Sequence, residues 1–177
     1  MSKLKGLLLT EGMHGMISQV EGLAKALDLD YIHQKVELNK FTKFLPPKIT
    51  PVSNLFFKNF EIPEFDLIIS CGRKSVIPSI YLKKHSKKKI INIHIQYPKV
   101  SLKNFDYIIV PEHDGIKGEN VITSKGAIHY LTSDEIKKNS NYLTEMLNKE
   151  KEYLLLILGG PNKYYDYNCL LYTSDAA

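Results

Sequence analysis

Short apolar runs alternate along the chain with segments of helical apolar spacing, which is the pattern of a parallel sheet with crossover helices. The runs at 4–9, 31–38, 65–70, 90–96 and 106–110 predict buried strands. After the first run, the residues that share one helical face are Met16, Val20, Leu23, Ala24 and Leu27. A second helix is predicted over 75–84, with Ser75 as its cap and Pro78 in its first turn. The chain is therefore predicted to form an α/β fold, a Rossmann-like parallel sheet with flanking helices.

The end of the chain departs from this alternation. A polar helix is predicted over 134–147, and the charged run at 149–152 predicts a linker. The apolar segment 153–158 then leads into Gly159-Gly160 like the first strand of another domain. We expect residues 1–148 to form an N-terminal Rossmann-like domain and residues 149–168 to be the linker and first strand of a truncated second one. The segment 169–177 matches one translated frame of a transposon-end sequencing adapter, and we interpret it as non-native.

Composition narrows the classes of function. The net charge is +5, yet only one of the 24 basic residues is an arginine, the residue that nucleic-acid-binding proteins favour. Lys, Ile, Asn and Tyr are all abundant and all have AT-rich codons, so a coding bias explains the excess of lysine. Nucleic-acid binding is therefore not predicted. No apolar run approaches the roughly 20 residues of a membrane span. Cys71 and Cys169 form no CxxC pair, so neither a disulfide framework nor a zinc site is indicated. We predict a cytoplasmic protein without a metal or cofactor.

The loop after the first strand carries the first candidate site. Gly12 and Gly15 let the backbone approach a ligand, and the following helix N-terminus offers N–H groups to an anion. His14 lies between them at the carboxyl end of a strand, where open α/β sheets bind ligands, and is the predicted catalytic residue. The alternative is a histidine hydrogen-bonded by the loop backbone. The loop lacks both the dinucleotide-binding and the P-loop fingerprints.

Two further loops follow predicted strands. Arg73 is the lone arginine and stands beside Ser75 at a helix start, which predicts a grip on phosphate or carboxylate; the alternative is a surface arginine of no function. His113 and Asp114 follow the fifth strand and are predicted to contact substrate or phosphate. As neighbours in an extended chain they would point in opposite directions, so no dyad is expected between them.

The segment 41–60 interleaves aromatic and basic residues, namely Phe41, Phe44, Phe56, Phe57 and Phe60 with Lys40, Lys43, Lys48 and Lys58. Two interpretations stay open. The phenylalanines are core beneath a long loop, or the segment makes a peripheral contact with the anionic inner face of a membrane.

Together these motifs resemble the mitochondrial-fission family named for "elongated mitochondria", which has many bacterial members. The resemblance is carried by 10–16, 19–24, 71–75, 111–114, 126–129 and 158–162, and it covers residues 4 to about 166 in the same order. This chain departs from the family at one point. Members of the family tend to have Asp-Pro-Arg after the fourth strand, whereas this chain has Tyr97-Pro98-Lys99.

The resemblance implies a GT-B-like protein of two Rossmann-like halves, of which this chain would hold the first. That architecture is similar to the N-acetylglucosaminyl transferase that completes the lipid-linked disaccharide of peptidoglycan. It implies a nucleotide-diphosphate sugar donor and an unknown acceptor, in cell-envelope glycan synthesis. His14 matches a histidine in the glycine-rich first loop of that enzyme, with Gly12, Gly15 and Arg73 as expected contacts to phosphate or acceptor.

In such proteins most donor contacts come from the second domain, which would begin here at Gly159-Gly160. Residues 1–168 alone are therefore expected to bind donor weakly and to show no turnover. The alternative from another class is a non-catalytic GT-B-like adaptor that recruits partners at a membrane surface. A nucleoside-diphosphate-sugar epimerase is disfavoured because the dinucleotide fingerprint is missing.

Overall fold

The computed structural model describes residues 3–39, 45–58, 64–141, 147 and 151–154. The chain divides into two compact units, residues 1–133 and residues 134–177. The first unit holds a six-stranded sheet and its flanking helices. In the second, the described residues include most of a short helix, α3 (Ser133–Asn139).

The sheet of the first unit is parallel throughout. Its strands are β1 (Lys5–Thr10), β2 (Asp30–Lys35), β3 (Leu67–Cys71), β4 (Ile91–Ile95), β5 (Tyr107–Pro111) and β6 (Val121–Ser124). They lie in the order β2-β1-β3-β4-β5-β6, and every neighbouring pair is parallel. This confirms the predicted α/β, Rossmann-like fold. The strand at β6 was not predicted.

Two helices cross between strands. Helix α1 (His14–Ala26) follows β1, and α2 (Val76–His85) follows β3, with Pro78 in its first turn as predicted. On α1 the predicted face is correct for Val20 and Ala24, which are buried, but wrong for Leu27. Leu27 is the C-cap of the helix and is 48% exposed, because the helical spacing ends at Ala26.

The sheet is apolar on both faces because a helix covers each one. One face packs with α1 through Leu8, Ile69, Ile93, Ile95 and Ile109. The other packs with α2 through Leu7, Leu9, Ile68, Ile108 and Val110. Strand β2 ends at Lys35, earlier than predicted, and Leu38 instead makes an isolated antiparallel bridge with Phe57.

Several sequence predictions fall partly outside the described residues. The predicted helix over 134–147 is present only as α3, which ends at Asn139; Ser140, Asn141 and Leu147 are described and are not helical, and 142–146 lie outside. Of the predicted strand over 153–158, Tyr153 and Leu154 are described and are not in a strand. The remainder of that segment lies outside, as do Gly159, Gly160 and 169–177. Within the described ranges, no helix combines the length and the hydropathy that crossing a bilayer requires.

Candidate functional site

The strand order creates a topological switch point between β1 and β3. Strand β1 pairs with β2 on one side and with β3 on the other. The chain therefore passes from β1 to β2 at one side of β1 and then crosses to β3 at the other side. The loops that follow these two strands therefore diverge to opposite faces of the sheet and leave a crevice at its carboxyl edge. Open α/β sheets bind ligands at such a crevice. Two of the predicted site loops, 11–15 and 72–75, flank it.

The first loop turns sharply at Gly12. Its φ is +87°, and a Cβ built there would lie 2.9 Å from Cε of Lys35. The Gly12 N–H donates to Oγ1 of buried Thr10 at 3.0 Å, which fixes the turn as it leaves the strand. Both the backbone angle and the close approach of Lys35 therefore require glycine here.

His14 is the first residue of α1, and its side chain is exposed. The helix N-cap, Met13, makes no side-chain cap, and the next residue, Gly15, has open space around it. Among the described residues, no hydrogen bond holds the imidazole of His14, so the alternative of a histidine held by its own loop finds no support. The first turn of α1 thus presents a histidine and uncapped N–H groups to solvent, an arrangement suited to an anionic ligand.

The second loop turns at Gly72. Its φ is +90°, and a Cβ there would lie 2.6 Å from Sδ of Met16 on α1. A single 3-10 turn, Arg73–Ser75, follows and leads into α2. Arg73 is exposed, and it lines a small cavity together with Leu38 and Ile77.

Ser75 occupies the predicted N-cap position but does not act as predicted. It is fully buried, and its hydroxyl donates to the carbonyl oxygens of Cys71 (2.9 Å) and Gly72 (2.8 Å). It therefore accepts no helix N–H and holds the loop together from inside. Its side chain has no surface to offer a phosphate.

Glu11, which the sequence analysis did not single out, joins the two loops. Its Oε1 accepts a hydrogen bond from the backbone N–H of Lys74 at 3.1 Å, and its Oε2 lies 2.7 Å from Nζ of the same lysine. The Glu11 side chain is only 15% exposed. The sequence shows an acidic residue, Glu11, directly after β1 and a basic residue, Lys74, shortly after β3. That these two residues form an ion pair follows only once β1 and β3 are known to be adjacent strands.

A basic cleft opens beside this pair, at the ends of β1 and β2. We call it the switch-point cleft; it has a volume of about 470 Å³ and is lined by Glu11, Lys35, Val36, Glu37, Leu38, Asn39, Lys58 and Lys74. Three lysines face two glutamates, which leaves one positive charge in excess. Lys58 pairs with Glu37 at 2.6 Å. The aliphatic chain of Lys35, the third lysine of this cleft, packs against Gly12 in the first loop.

A second cleft lies at the carboxyl ends of β4 and β5. We call it the Tyr97 cleft; it has a volume of about 520 Å³ and is lined by Gln19, Gln96, Tyr97, Lys99, Pro111, His113, Asp114, Ile116 and Ala127. His113 and Asp114 both belong to it. The expectation that these two would point apart is wrong, because Glu112–Asp114 form a 3-10 turn and the chain there is not extended. Nε2 of His113 lies 3.6 Å from Oδ1 of Asp114.

Cys71 lies at the end of β3 below these loops but is not built as a nucleophile. Burial, and secondarily the charge of Glu11, raises the pKa of its thiol to about 12. The thiolate, which is the reactive form, is therefore negligible at neutral pH. Across the described part of the chain, no group of three His, Cys, Asp or Glu side chains is placed to hold a metal ion.

Comparison with known proteins identifies the family of the chain. No curated protein and no solved structure matches the chain. A family model described as Mitochondrial fission ELM1 matches residues 14–173, which is nearly the whole sequence and includes the His14, Arg73 and Tyr97 segments. The chain belongs to the mitochondrial fission ELM1 family.

Proposed function

We propose that the protein is a GT-B-type glycosyltransferase that uses a nucleotide-diphosphate sugar, in cell-envelope glycan synthesis, and that the described sheet belongs to the N-terminal half of that fold. One observation carries the proposal. Two glycine turns flank the β1–β3 switch point, one leading to exposed His14 and the other to Arg73, and Glu11 and Lys74 of these loops line a cleft with one lysine in excess.

The charges around the first loop suit a diphosphate. The leaving group of a nucleotide-sugar donor is an anion, and anions are stabilised at helix N-termini by free N–H groups and the helix dipole. Here the first turn of α1 has no side-chain cap, and Lys35 lies against Gly12 just before it. Lys74 is held in the neighbouring loop by Glu11, so its ammonium stays at the crevice.

His14 would act as the general base in this reaction. An acceptor hydroxyl oxygen forms a bond to C1 of the donor sugar while the bond from C1 to the β-phosphate oxygen breaks. The nucleoside diphosphate departs with the electron pair, and the hydroxyl proton passes to the His14 imidazole. Histidine titrates near neutral pH, which suits this role, and such proton transfer contributes about 10²–10⁴ in rate.

The test is release of nucleoside diphosphate by the intact gene product from a panel of UDP-, GDP- and dTDP-sugars, with glycan acceptors added. His14→Gln should lower the rate by about 10²–10⁴ while donor affinity stays within a few-fold. His85→Gln is the matched control, since His85 is an exposed histidine at the C-terminus of α2. Absence of turnover with every donor, or an unchanged rate in His14→Gln, contradicts the proposal.

A non-catalytic adaptor that docks on a membrane surface is the second candidate, and one observation favours it. Between β2 and β3, Ile49 and Leu55 are 63% and 76% exposed, and Ile49 directly follows exposed Lys48 in the sequence. Phe57, in contrast, is buried core, while Phe41, Phe44 and Phe60 lie outside the described residues. Apolar side chains beside lysines favour an anionic lipid surface.

Vesicle co-sedimentation distinguishes this second candidate. The adaptor is expected to bind phosphatidylserine-containing vesicles, and Leu55→Asp with Ile49→Asp should abolish binding, whereas Ile122→Asp on β6, where the native side chain is 50% exposed, should not. His14→Gln should leave vesicle binding unchanged. Equal sedimentation of the double variant and the native chain would argue against a membrane role for this segment.

A further inference from the structure

We infer that the Tyr97 cleft is a saccharide-binding site, separate from the switch-point cleft, in which the ring of Tyr97 stacks on the sugar. Its assignment as the acceptor subsite rests on the proposed glycosyl transfer. The capacity to bind a sugar rests only on the cleft itself. All of its lining residues belong to the first compact unit.

The backbone that presents Tyr97 is held in a costly conformation. Gln96 and Lys99 have φ of +82° and +57°, values that residues other than glycine rarely adopt. The Gln96 N–H still donates to the carbonyl of Ile109 at 2.8 Å, so the β4–β5 pairing continues up to the turn. Pro98 is buried and anchors the turn from below. Such strain persists where the surrounding structure enforces it, and it is concentrated at ligand sites.

The turn leaves an aromatic side chain on the wall of an open cleft. Tyr97 is 43% exposed although it is large and apolar. An aromatic face packs well against the C–H face of a sugar ring while its hydroxyl remains available for hydrogen bonding. An exposed tyrosine that is held by a strained turn is therefore better explained by a ligand than by packing within the chain.

The polar groups around Tyr97 match neighbouring hydroxyls. The Gln96 amide offers donors and an acceptor, and the Asp114 carboxylate accepts hydrogen bonds. The Gln19 amide offers its N–H donors, while its Oε1 accepts from the Cys71 thiol at 3.9 Å. His113 lies 3.6 Å from Asp114, so carboxylate and imidazole present an acceptor and a donor side by side. A sugar ring carries hydroxyls that both donate and accept. This mixture of hydrogen-bond donors and acceptors suits a sugar better than a ligand, such as a phosphate, that only accepts hydrogen bonds.

Charge separates this cleft from the switch-point cleft. Lys99 is balanced by Asp114 in the Tyr97 cleft, whereas three lysines face two glutamates in the switch-point cleft. The charged side chains of the switch-point cleft sum to +1 and those of the Tyr97 cleft to zero, so a phosphate group is attracted more strongly to the former. The two clefts therefore suit different parts of one reaction, an anionic donor in the first and a neutral, hydroxyl-rich acceptor in the second.

Saturation-transfer NMR on the full chain tests the inference without requiring turnover. The probes are methyl glycosides of glucose, galactose and N-acetylglucosamine, with uridine as the nucleoside probe. Tyr97→Ala should weaken saccharide binding at least tenfold, and Tyr97→Phe should retain it within about threefold because the ring remains. Tyr107→Ala is the matched control: Tyr107 is 46% exposed, close to the value for Tyr97, but stands at the amino end of β5.

Asp114→Asn provides a second variant, which keeps the side-chain shape and should weaken binding about fivefold or more. Loss of saccharide signal in Tyr97→Ala and Asp114→Asn, with retention in Tyr97→Phe and Tyr107→Ala, supports the inference. No saccharide binding by the native chain overturns it, as does uridine binding that depends on Tyr97. Saccharide binding without any transfer from nucleotide sugars would leave this site standing and remove the proposed function instead.

Discussion

His94 is a fully buried histidine on β4, and its surroundings favour the neutral form. Its Nδ1 lies 2.8 Å from Oγ of Ser70, while its Nε2 has no partner among the described residues. Burial lowers the pKa of His94 to about 3 from an ordinary value of 6.5. Between pH 6.5 and about pH 3, His94 is therefore protonated in the unfolded chain and neutral in the folded chain. The stabilising contribution is complete above pH 6.5 and is lost as the pH falls toward 3.

We expect this group to make the protein acid-sensitive. Between pH 7 and pH 5, His94 alone should lower the free energy of unfolding by about 2 kcal/mol. The ring centroids of His94 and Phe105 lie 5.1 Å apart, and His94→Phe keeps a ring at this position. The substitution should remove the contribution of His94 to the pH dependence of stability. The Ser70 hydroxyl can still donate to the Ile93 carbonyl at 3.2 Å. Urea unfolding at the two pH values measures the effect.

Exposed His85 gives the control, and His85→Gln should retain the full pH dependence. His33 contributes a smaller term of the same sign, since burial lowers its pKa while the charge of Glu21 opposes the shift. That contribution remains in His94→Phe. A pH dependence as steep in His94→Phe as in the native chain would show that His94 is not its source.

The positions of some residues could be predicted from the sequence, whereas the contacts of others could not. His14, Gly12 and Arg73 were identifiable because each follows an apolar strand and precedes a helix, a position that the fold carries to the ligand-binding edge. The hydrogen bonds of Ser75 could not be predicted, because a serine hydroxyl at this position can either accept from a helix N–H or donate to carbonyl oxygens. The side-chain rotamer decides between these two, and the sequence does not specify it. Glu11 was missed because its partner, Lys74, lies 63 residues away.

At the scale of elements, loops and helices touch most closely at glycines. Gly72 has φ of +90°, and its position leaves no space for a methyl group beside Met16 of α1. Gly15, only one residue before Met16, has no atom within 4 Å of a would-be Cβ. Gly15 was a predicted site residue and Gly72 was not, yet the fold requires glycine at Gly72.

Gly72→Ala should lower the free energy of unfolding by about 2 kcal/mol or more, because the backbone angle and the contact with Met16 both oppose a side chain. Gly15→Ala lies in the first turn of α1 and should be neutral or stabilising by up to about 1 kcal/mol. Urea unfolding of both variants compares them directly. If Gly15→Ala folds normally yet weakens binding of a nucleotide-sugar, that glycine serves the ligand. Equal destabilisation by the two substitutions would contradict the geometry.

The pair formed by Glu11 and Lys74 also acts between elements. Glu11→Gln removes the ion pair but leaves an acceptor for the Lys74 N–H, and it should cost about 1 kcal/mol because the carboxylate is largely shielded. Lys58→Met breaks the pair with Glu37, in which both side chains are at least half exposed, and should change stability by less than about 0.5 kcal/mol. Urea unfolding at 0.05 M and 0.5 M NaCl tests both, and a larger effect for Lys58→Met would reverse the ranking.

Prediction of the elements themselves succeeded where the apolar signal was strong. Strands β1, β3 and β5 contain short continuous runs of buried Leu, Ile and Val, and in β4 three isoleucines alternate with Asn92 and His94. Strand β6 was missed because Val121–Ser124 is short, half polar and at the edge of the sheet, where burial imposes little pattern. Strand β2 was drawn too long because the chain leaves the sheet after Lys35 although its apolar alternation continues.

At the scale of the whole first unit, α1 is clasped by the segment that follows β6. A Cβ at Gly22 would lie 2.6 Å from both the carbonyl carbon and the carbonyl oxygen of His129, and Ile128 packs on the α1 side of the core. Nζ of Lys25 lies 4.9 Å from the ring centroid of Tyr130. An early helix and the last loop of the unit therefore close on each other across the face of the sheet.

Gly22→Ala should open this contact. An alanine within a helix is ordinarily more stable than glycine by about 1 kcal/mol, but here the methyl group meets backbone and should destabilise by about 1–3 kcal/mol. Amide hydrogen exchange should rise most over 126–130. Gly15→Ala in the same helix provides the comparison, and a stabilised Gly22→Ala with unchanged exchange would contradict the clasp.

The parallel order of the six strands has a consequence for biosynthesis. Parallel neighbours cannot be joined by a hairpin, so β1 must wait for β3, which begins at Leu67, before it is flanked on both sides. At a translation rate of about 5–20 residues per second, the stretch from Lys5 to Leu67 takes roughly 3–12 s. During that interval the leucines of β1 leave the ribosome without a neighbour on one side. We therefore expect the nascent chain to depend on a holdase chaperone until Leu67 emerges.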